Sequence, residues 1–117
     1  MSEEWRPILL GRLALKSHYE VSSEGRVRNG ETGLLLKSHF ITNRNGDRYE
    51  RICMRVGGKR TNFYVHRLVA QAFHPNPMQK PEVNHFDTNT LNNSSANLEW
   101  ATREENEAHK RWMRVTA

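Results

Sequence analysis

Residues 82–106 constrain the fold of this chain more than any other stretch of its sequence. They begin with a short apolar-flanked run that ends at His85, and a polar loop rich in asparagine follows. A capping box then marks the start of a helix, with Thr102 as the N-cap residue and Glu105 at the third helical position. This order predicts a strand, a loop and a helix that fold back on one another, with His85 on the strand and Asn106 on the helix.

Alternation of apolar and polar residues predicts several short strands before this segment. In the longest of them, Glu50 shares one face with Ile52 and Met54. The predicted strands cover residues 19–22, 26–28, 34–36, 49–56, 61–65 and 81–85, and the predicted helices cover residues 66–73 and 103–114. The fold class is therefore expected to be α+β, with a small β-rich N-terminal part followed by a C-terminal strand, loop and helix.

The composition limits the size of the core and indicates the kind of partner. Hydrophobic residues make up 36% of the 117 residues, which predicts one domain, or one domain with a small appendage, around a small core. Lysine and arginine outnumber aspartate and glutamate by 18 to 13, for a formal net charge of +5. Such a balance favours a polyanionic partner, most often nucleic acid. A basic domain that is merely soluble remains the alternative.

The single cysteine, Cys53, excludes an intramolecular disulfide and leaves no cysteine pair for a structural zinc site. This usage is typical of a reducing compartment. No apolar run approaches the length of a membrane span, and residues 2–5 lack the features of a signal peptide. The sequence therefore predicts a cytoplasmic protein with no membrane partner.

His85 is the candidate for chemistry, although a lone histidine beside apolar residues is more often structural. An asparagine precedes it, and the helix that follows the loop carries Asn106 in its interior. Asparagine is a poor helix former unless its side chain has something to bind, so a solvated Asn106 is the alternative to a ligand. A neutral imidazole beside oxygen ligands for a cation would suit metal-assisted phosphodiester hydrolysis.

A series of short motifs runs in order along most of the chain. Its members are residues 4–8, 19–27, 65–70, 83–89, 92–93, 97–100 and 102–106, together with Phe73. The last four ranges resemble the HNH, or His-Me finger, endonucleases, in the phage and group I intron-encoded homing branch. Residues 65–70 and Phe73 resemble the segment before the finger in that branch. The first two ranges resemble the small NUMOD4-like module often fused to these nucleases.

The resemblance implies a domain organisation and spans residues 4 to about 109. It implies a β-rich N-terminal module at residues 1–40 and an HNH endonuclease domain at residues 41–117. Within that domain, a ββα-metal finger would occupy about residues 81–114. Trp100 and Leu98 are expected to pack the helix of the finger onto its strands, and Trp5 to anchor the N-terminal module.

The resemblance also implies a role for each residue at a motif position. His85 would be the general base that takes a proton from the attacking water, and Asn97 would brace the loop and help to hold the histidine. Asn84 and Asn106 fall on the metal-ligand positions for one Mg²⁺ or Mn²⁺ ion. His109 lies one helical turn after Asn106 and could contact the metal or a phosphate, with an exposed helical histidine as the alternative.

Asn84 departs from the pattern of several relatives, which have an aspartate at this position. A neutral amide compensates less of the charge of a cation, so we expect weak metal binding by the free protein. Tight binding would then require the phosphate of bound DNA. Asp87 or Glu105 could supply a carboxylate instead, but loop hydrogen bonds and the capping box already account for these two residues.

DNA is the expected partner, and the expected activity is metal-dependent cleavage that leaves a 5′ phosphate and a 3′ hydroxyl. Lys59 and Arg60 in the predicted hairpin, with Arg67 and Lys110, are the candidate DNA contacts. One alternative is a DNA-binding protein that keeps the finger without cutting, and another is a nuclease that acts on RNA or structured DNA. A single finger cuts one strand, so double-strand cleavage would require a homodimer or two visits. An accessory phage or host protein is the other candidate partner, since specificity is expected either to be loose or to need a partner.

The remaining histidines are expected to have no role in catalysis. His66 stands at the start of the first predicted helix, where a hydrogen bond from its ring is the expected use. His18, His39 and His74 have no cluster of polar residues around them in the sequence.

Overall fold

Three small antiparallel sheets and two helices form the part of the chain described by this computed structural model, residues 3–10 and 15–116. The strands are β1 (Trp5–Leu10), β2 (Leu15–Ser22), β3 (Val27–Asn29), β4 (His39–Thr42), β5 (Arg48–Val56), β6 (Lys59–Tyr64), β7 (Glu82–His85) and β8 (Leu98–Ala101). The helices are α1 (Val65–Phe73) and α2 (Arg103–Thr116), and a 3₁₀ turn covers Ser95–Asn97. Neither helix is long and apolar enough to cross a membrane. The predicted α+β class is confirmed.

Each sheet is built from neighbours in sequence, which keeps most strand pairing local. The strand orders are β1-β2-β3, β4-β5-β6 and β7-β8. In the last sheet, Asn84 lies opposite Glu99 and His85 lies opposite Leu98. The two motif residues Asn84 and His85 are therefore the last two residues of β7. Helix α2 follows β8 after one residue and packs against both strands.

Helix α1 lies at the centre of a core that all three sheets share. Its residues Val69 and Ala70 have no exposed surface, and it contacts strands from each sheet. The buried apolar residues are Ile8, Val21, Val27, Ile52, Met54, Val65, Leu68, Val69, Ala70, Val83, Leu98 and Ala101. Residues of the N-terminal sheet are thus packed in the same cluster as residues of β7 and β8.

Trp5 and Trp100 are partly buried, and the ring of Trp100 lies beside Arg67 of α1. The expectation that Trp100 packs the helix of the finger onto its strands stays a prediction. Trp100 is partly buried against the core, and its Nε1–H donates to the carbonyl oxygen of His74 at 3.0 Å. Leu98 is 1% exposed. In the first sheet, the guanidinium of Arg28 lies 3.9 Å from the centre of the Trp5 ring. This cation–π contact holds the Trp5 ring against the first sheet.

The strand predicted at residues 34–36 is wrong, because this run forms only an isolated bridge between Leu35 and Arg28. Leu34 and Leu35 are 69% and 54% exposed, and only Leu36 packs against the core. Three consecutive leucines gave an apolar signal without alternation, which does not define a strand face. Strands β1, β4 and β8 were not predicted from the residues. Two of them, β4 and β8, have only four residues each, which gives too short a pattern.

The boundaries of the two helices differ slightly from the predicted ones. Helix α1 begins at Val65 rather than His66, and β6 ends one residue earlier than predicted. The capping box at the start of α2 is confirmed. The Thr102 N–H donates to Glu105 Oε1 at 2.9 Å, and the Glu105 N–H donates to Thr102 Oγ1 at 3.1 Å. This reciprocal pair fixes the start of α2 at Arg103, three residues before Asn106.

Candidate active site

Three of the motif residues line one open groove between the β7-β8 hairpin, helix α2 and strand β5. The groove has a volume of about 620 Å³. Asn84, His85 and Asn106 line it, and they are 4%, 6% and 7% exposed. The other lining residues are Asn45, Asp47, Tyr49, Val83, Thr88, Thr90, Glu107, Lys110, Met113 and Arg114. The fold therefore brings together the histidine and the two asparagines that the sequence singled out.

A glutamate holds the amide of each of these two asparagines. Asn84 Nδ2 donates to Glu99 Oε1 at 3.1 Å, across the β7-β8 pair. Asn106 Nδ2 donates to Glu82 Oε1 at 2.9 Å, from helix α2 to strand β7. A carboxylate only accepts hydrogen bonds, so each amide must turn its nitrogen towards its glutamate. Both side-chain carbonyl oxygens are consequently left without a hydrogen bond from the described residues.

The imidazole of His85 is held by a third asparagine. His85 Nε2 lies 2.9 Å from Asn93 Oδ1, and Asn93 Nδ2 donates to Glu50 Oε1 at 3.2 Å. Because Asn93 offers an oxygen, Nε2 of His85 must carry the proton in the neutral ring. The lone pair of the ring then resides on Nδ1, the nitrogen a general base would use.

Burial keeps His85 neutral. Desolvation lowers the pKa of His85 below its ordinary value, and it outweighs the hydrogen bond to Asn93 and the charge of Asp87, which both act to raise it. A neutral imidazole near neutral pH can accept a proton without first losing one. The environment of the groove thus suits the role of a base.

Neither Asn93 nor Glu50 was assigned a role from the sequence. Asn93 was part of a motif, but its spacing from His85 gave no reason to link the two residues. A signal for Glu50 did exist, since the alternation of β5 places this carboxylate on the same face as the buried Ile52 and Met54. A charged residue on a buried strand face needs a polar partner, and here Asn93 supplies it.

Asn97 braces the loop that follows His85. Its Oδ1 accepts from the N–H of Asp87 at 3.1 Å, and its Nδ2 donates to Asp87 Oδ1 and to the carbonyl oxygen of Asn92, both at 2.9 Å. Its own carbonyl oxygen accepts from the N–H of Phe86 at 2.9 Å. One side chain thereby joins both ends of the loop, and none of these hydrogen bonds is made to His85.

Asp87 and Glu105 have the structural contacts that were expected of them. Asp87 accepts hydrogen bonds from Asn92, Asn89 and Asn97, and these lower its pKa despite the opposing effect of desolvation. Glu105 completes the capping box and pairs with Lys80 at 3.0 Å. The carboxylates that do line the groove belong to Asp47 and Glu107, which the sequence did not indicate.

His109 faces the backbone beside the groove. Its Nε2 lies 3.0 Å from the carbonyl oxygen of Phe86, and its ring stacks on Trp112. That nitrogen must therefore carry a proton and donate it to the carbonyl. The contact ties α2 to the residue that follows His85, and it occupies one of the two nitrogens that a ligand could use.

The four candidate DNA contacts differ in their distance from the groove. Lys110 lines it, whereas Arg67 lines an adjoining recess of about 310 Å³. Arg67 Nη1 also donates to the carbonyl oxygen of Pro81 at 3.0 Å. Lys59 and Arg60 are exposed at the start of β6 and are not among the residues that line the groove. Lys110 thus lies beside the candidate chemistry, and Arg67 shares the adjoining recess with Asn106 and Lys110.

The ring of His85 packs against His66, which in turn packs against Tyr49 and Tyr64. The His66 ring centre lies 5.3 Å from that of His85 and 5.4 Å from those of Tyr49 and Tyr64. The hydrogen bond expected for His66 is absent from its buried Nδ1, which has no partner in the described structure. Burial above all lowers the pKa of His66 to about 3, and repulsion from His85 once that ring is protonated and from the charge of Arg67 adds to the effect.

Replacing His66 with phenylalanine is expected to make the free energy of unfolding less sensitive to acid. The unfolded chain binds a proton at this histidine near pH 6.5, whereas the folded chain does so only near pH 3. The contribution of His66 to the free energy of unfolding is therefore complete above pH 6.5. It is lost as the pH falls from 6.5 towards about 3, by about 1.4 kcal/mol per pH unit for one proton. Urea unfolding at neutral and mildly acidic pH measures this slope. An unchanged slope in His66→Phe, with His18→Gln as the exposed control, would contradict the assignment.

Comparison with known proteins places these residues in a defined context. A family model described as HNH endonuclease matches residues 63–108. DNA endonuclease I-HmuI of Bacillus phage SP01 is 40% identical over 103 residues, which is 88% of this chain and 55% of that protein. An uncharacterized HNH endonuclease of Acanthamoeba polyphaga mimivirus is 40% identical over 98 residues, or 84% of this chain and 28% of that protein.

A solved structure shows the same fold. It describes DNA binding and cleavage by the HNH homing endonuclease I-HmuI, and it matches with a TM-score of 0.73 and 35% sequence identity. The match covers 97% of this chain and 60% of that one. The chain therefore spans little more than half the length of I-HmuI and about a quarter of the mimivirus protein.

Proposed function

The chain belongs to the HNH endonuclease family, and from this premise we propose that it hydrolyses phosphodiester bonds of DNA at the groove that holds His85. Enzymes of this family use a divalent cation, and we propose one Mg²⁺ or Mn²⁺ ion per site. One observation carries the proposal. A neutral histidine with an available Nδ1 shares a groove with two amides whose carbonyl oxygens accept no hydrogen bond from the described residues.

The donor set of the groove fits a hard cation that keeps several waters. Within the described residues, no three or more His, Cys, Asp or Glu side chains form a cluster that could hold a metal ion. The oxygens of Asn84 and Asn106 would therefore contribute two ligands, with water and a DNA phosphate completing the set. When bound, such a cation stabilises negative charge on the phosphate and on the departing 3′ oxygen.

The remaining roles in the proposed reaction would belong to His85, Lys110 and Asn97. His85 Nδ1 would take a proton from the attacking water, while Nε2–H stays bonded to Asn93. Lys110 lines the same groove and would contact a phosphate. Asn97 would maintain the loop after His85 through its bonds to Asp87 and Asn92. The products would be a 5′ phosphate and a 3′ hydroxyl.

Supercoiled plasmid incubated with the protein and Mg²⁺, Mn²⁺ or a chelator provides the test. We expect nicked or linear product with either ion and none with the chelator. Intact plasmid with every divalent ion, together with DNA binding in a gel-shift experiment, would instead support a DNA-binding protein that keeps the finger without cutting.

Exchanging the amide and carboxylate between Asn84 and Glu99 is expected to increase the metal affinity of the free protein. Asn84→Asp alone would place two carboxylates about 3 Å apart, where their repulsion works against folding. Adding Glu99→Gln restores a donor for the new carboxylate and moves the negative charge onto the ligand itself. We expect the double variant to bind Mn²⁺ at least tenfold more tightly than the wild type in calorimetry without DNA.

The wild type and the two single variants are the references for this exchange. Submicromolar Mg²⁺ binding by the wild-type protein alone would contradict the view that the neutral Asn84 makes metal binding depend on DNA. Equal affinities in the wild type and the double variant would argue against Asn84 as a ligand.

A further inference from the structure

We propose that Glu50 is a positioning residue for His85, which it orients through the side chain of Asn93. The inference deepens the proposed function, because it concerns the residue that would act as the base. Glu50 lies in β5, outside the finger, and 43 positions from Asn93 in the sequence. It contacts Asn93 and does not line the groove.

The first step is the orientation of the Asn93 amide. Its two ends differ chemically, because Nδ2 only donates and Oδ1 only accepts. Glu50 Oε1 can accept but not donate, so it selects the arrangement in which Nδ2 faces the carboxylate. Asn93 is 4% exposed, so no bulk water is available to satisfy the reversed amide.

The second step is the tautomer of His85. With Oδ1 of Asn93 2.9 Å from Nε2, the neutral ring must carry its proton on Nε2. A reversed amide would present N–H groups to the same nitrogen and would force the proton onto Nδ1. The lone pair of the imidazole would then lie on Nε2, which faces Asn93. Nδ1, the nitrogen without a protein partner, would have no lone pair to accept a proton. The carboxylate of Glu50 therefore determines, two hydrogen bonds away, which nitrogen can accept a proton.

The third step is that both Glu50 and Asn93 are held in place from the N-terminal side of the chain. Ser38 Oγ donates to Glu50 Oε2 at 2.6 Å, which leaves Oε1 for Asn93. Gly25 has φ +88° and packs so closely that a Cβ there would lie 3.0 Å from the carbonyl oxygen of Asn93. The N–H of Ser95 donates to the carbonyl oxygen of Ser23 at 2.7 Å. The loop thus has little freedom to turn away from His85.

Glu50→Gln is the direct test, since glutamine keeps the size of the side chain but can donate as well as accept. The Asn93 amide then loses its single preferred orientation, and His85 is expected to populate the Nδ1–H tautomer. We expect kcat for plasmid cleavage to fall about tenfold to 100-fold, with KM for DNA unchanged. The ¹⁵N chemical shifts of the His85 ring, recorded well above the ordinary histidine pKa, report the tautomer directly.

A second, double variant restores the hydrogen-bond pattern by moving the carboxylate from position 50 to position 93. In Glu50→Gln combined with Asn93→Asp, the new carboxylate accepts from His85 Nε2–H, and the glutamine donates to it. We expect the Nε2–H tautomer to return and kcat to recover to within about tenfold of the wild type. This variant also serves if Glu50→Gln alone proves too unstable to study, because its hydrogen bonds are complete.

Glu31→Gln is the matched control, because Glu31 is an exposed glutamate that pairs with the exposed His18. An Nε2–H tautomer and unchanged kcat in folded Glu50→Gln would overturn the proposal, as would a double variant that stays on the Nδ1–H tautomer. The tautomer can be read in a protein that does not cut DNA. Absence of cleavage by the wild type would therefore count against the proposed function alone.

Discussion

Replacing His85 with alanine is expected to reduce the rate of plasmid cleavage by about 100-fold to 10,000-fold, the range typical of a lost general base. The substitution removes the only ring nitrogen that the groove presents with a free lone pair, according to the hydrogen bonds of the described residues. DNA affinity should change little, since phosphate contacts depend on cationic side chains. Single-turnover cleavage of supercoiled plasmid and a gel-shift titration measure the two quantities separately.

His18→Ala is the control, because His18 is a histidine whose side chain is 74% exposed. It should cleave as the wild type does. If His85→Ala retained more than about a tenth of the wild-type rate while folded, the imidazole would not be the base. The thermal unfolding midpoint of the variant establishes that it is folded, since the ring also packs against His66.

Asn106→Ala is expected to reduce cleavage by about 100-fold to 1,000-fold at moderate metal concentration, because a ligand contributes several kcal/mol to holding the cation. Raising the Mn²⁺ concentration should recover part of the rate, since the defect lies in binding the ion. Alanine is the better helix former, so α2 should not be weakened by the backbone preference. The dependence of the cleavage rate on Mn²⁺ concentration is the measurement.

Glu104→Ala provides the reference, since Glu104 is an exposed residue in the first turn of the same helix. Its metal dependence should match that of the wild type. A rate in Asn106→Ala that falls equally at every Mn²⁺ concentration would mean that Asn106 acts through Glu82 on the structure of the hairpin instead.

The finger could be predicted from the sequence because its information is local. The capping box of Thr102 and Glu105 fixes the start of α2, and the short strand before the loop ends at His85. The strand β8 that pairs with β7 was implied only by the resemblance to a ββα finger. The resemblance to HNH endonucleases is confirmed for the same reason, since its motifs follow one another within a short segment.

The support around His85 could not be predicted because it depends on contacts between distant parts of the chain. Glu50 reaches Asn93 from another sheet, and His66 reaches His85 from α1. No local pattern encodes such pairs. The three consecutive leucines at residues 34–36 failed for the opposite reason, because a strong local signal had no partner strand to extend it beyond one bridge.

The contact between Gly25 and Asn93 has a consequence for a partly folded chain. Residues 23–25, in the turn between β2 and β3, enclose the loop that carries Asn93, so a molecule in which this turn is not docked would leave the loop free to turn. We expect Glu50 to fix the tautomer of His85 only when this turn holds the loop in place. A partly folded molecule would then contain all the motif residues without a fixed orientation of the candidate base.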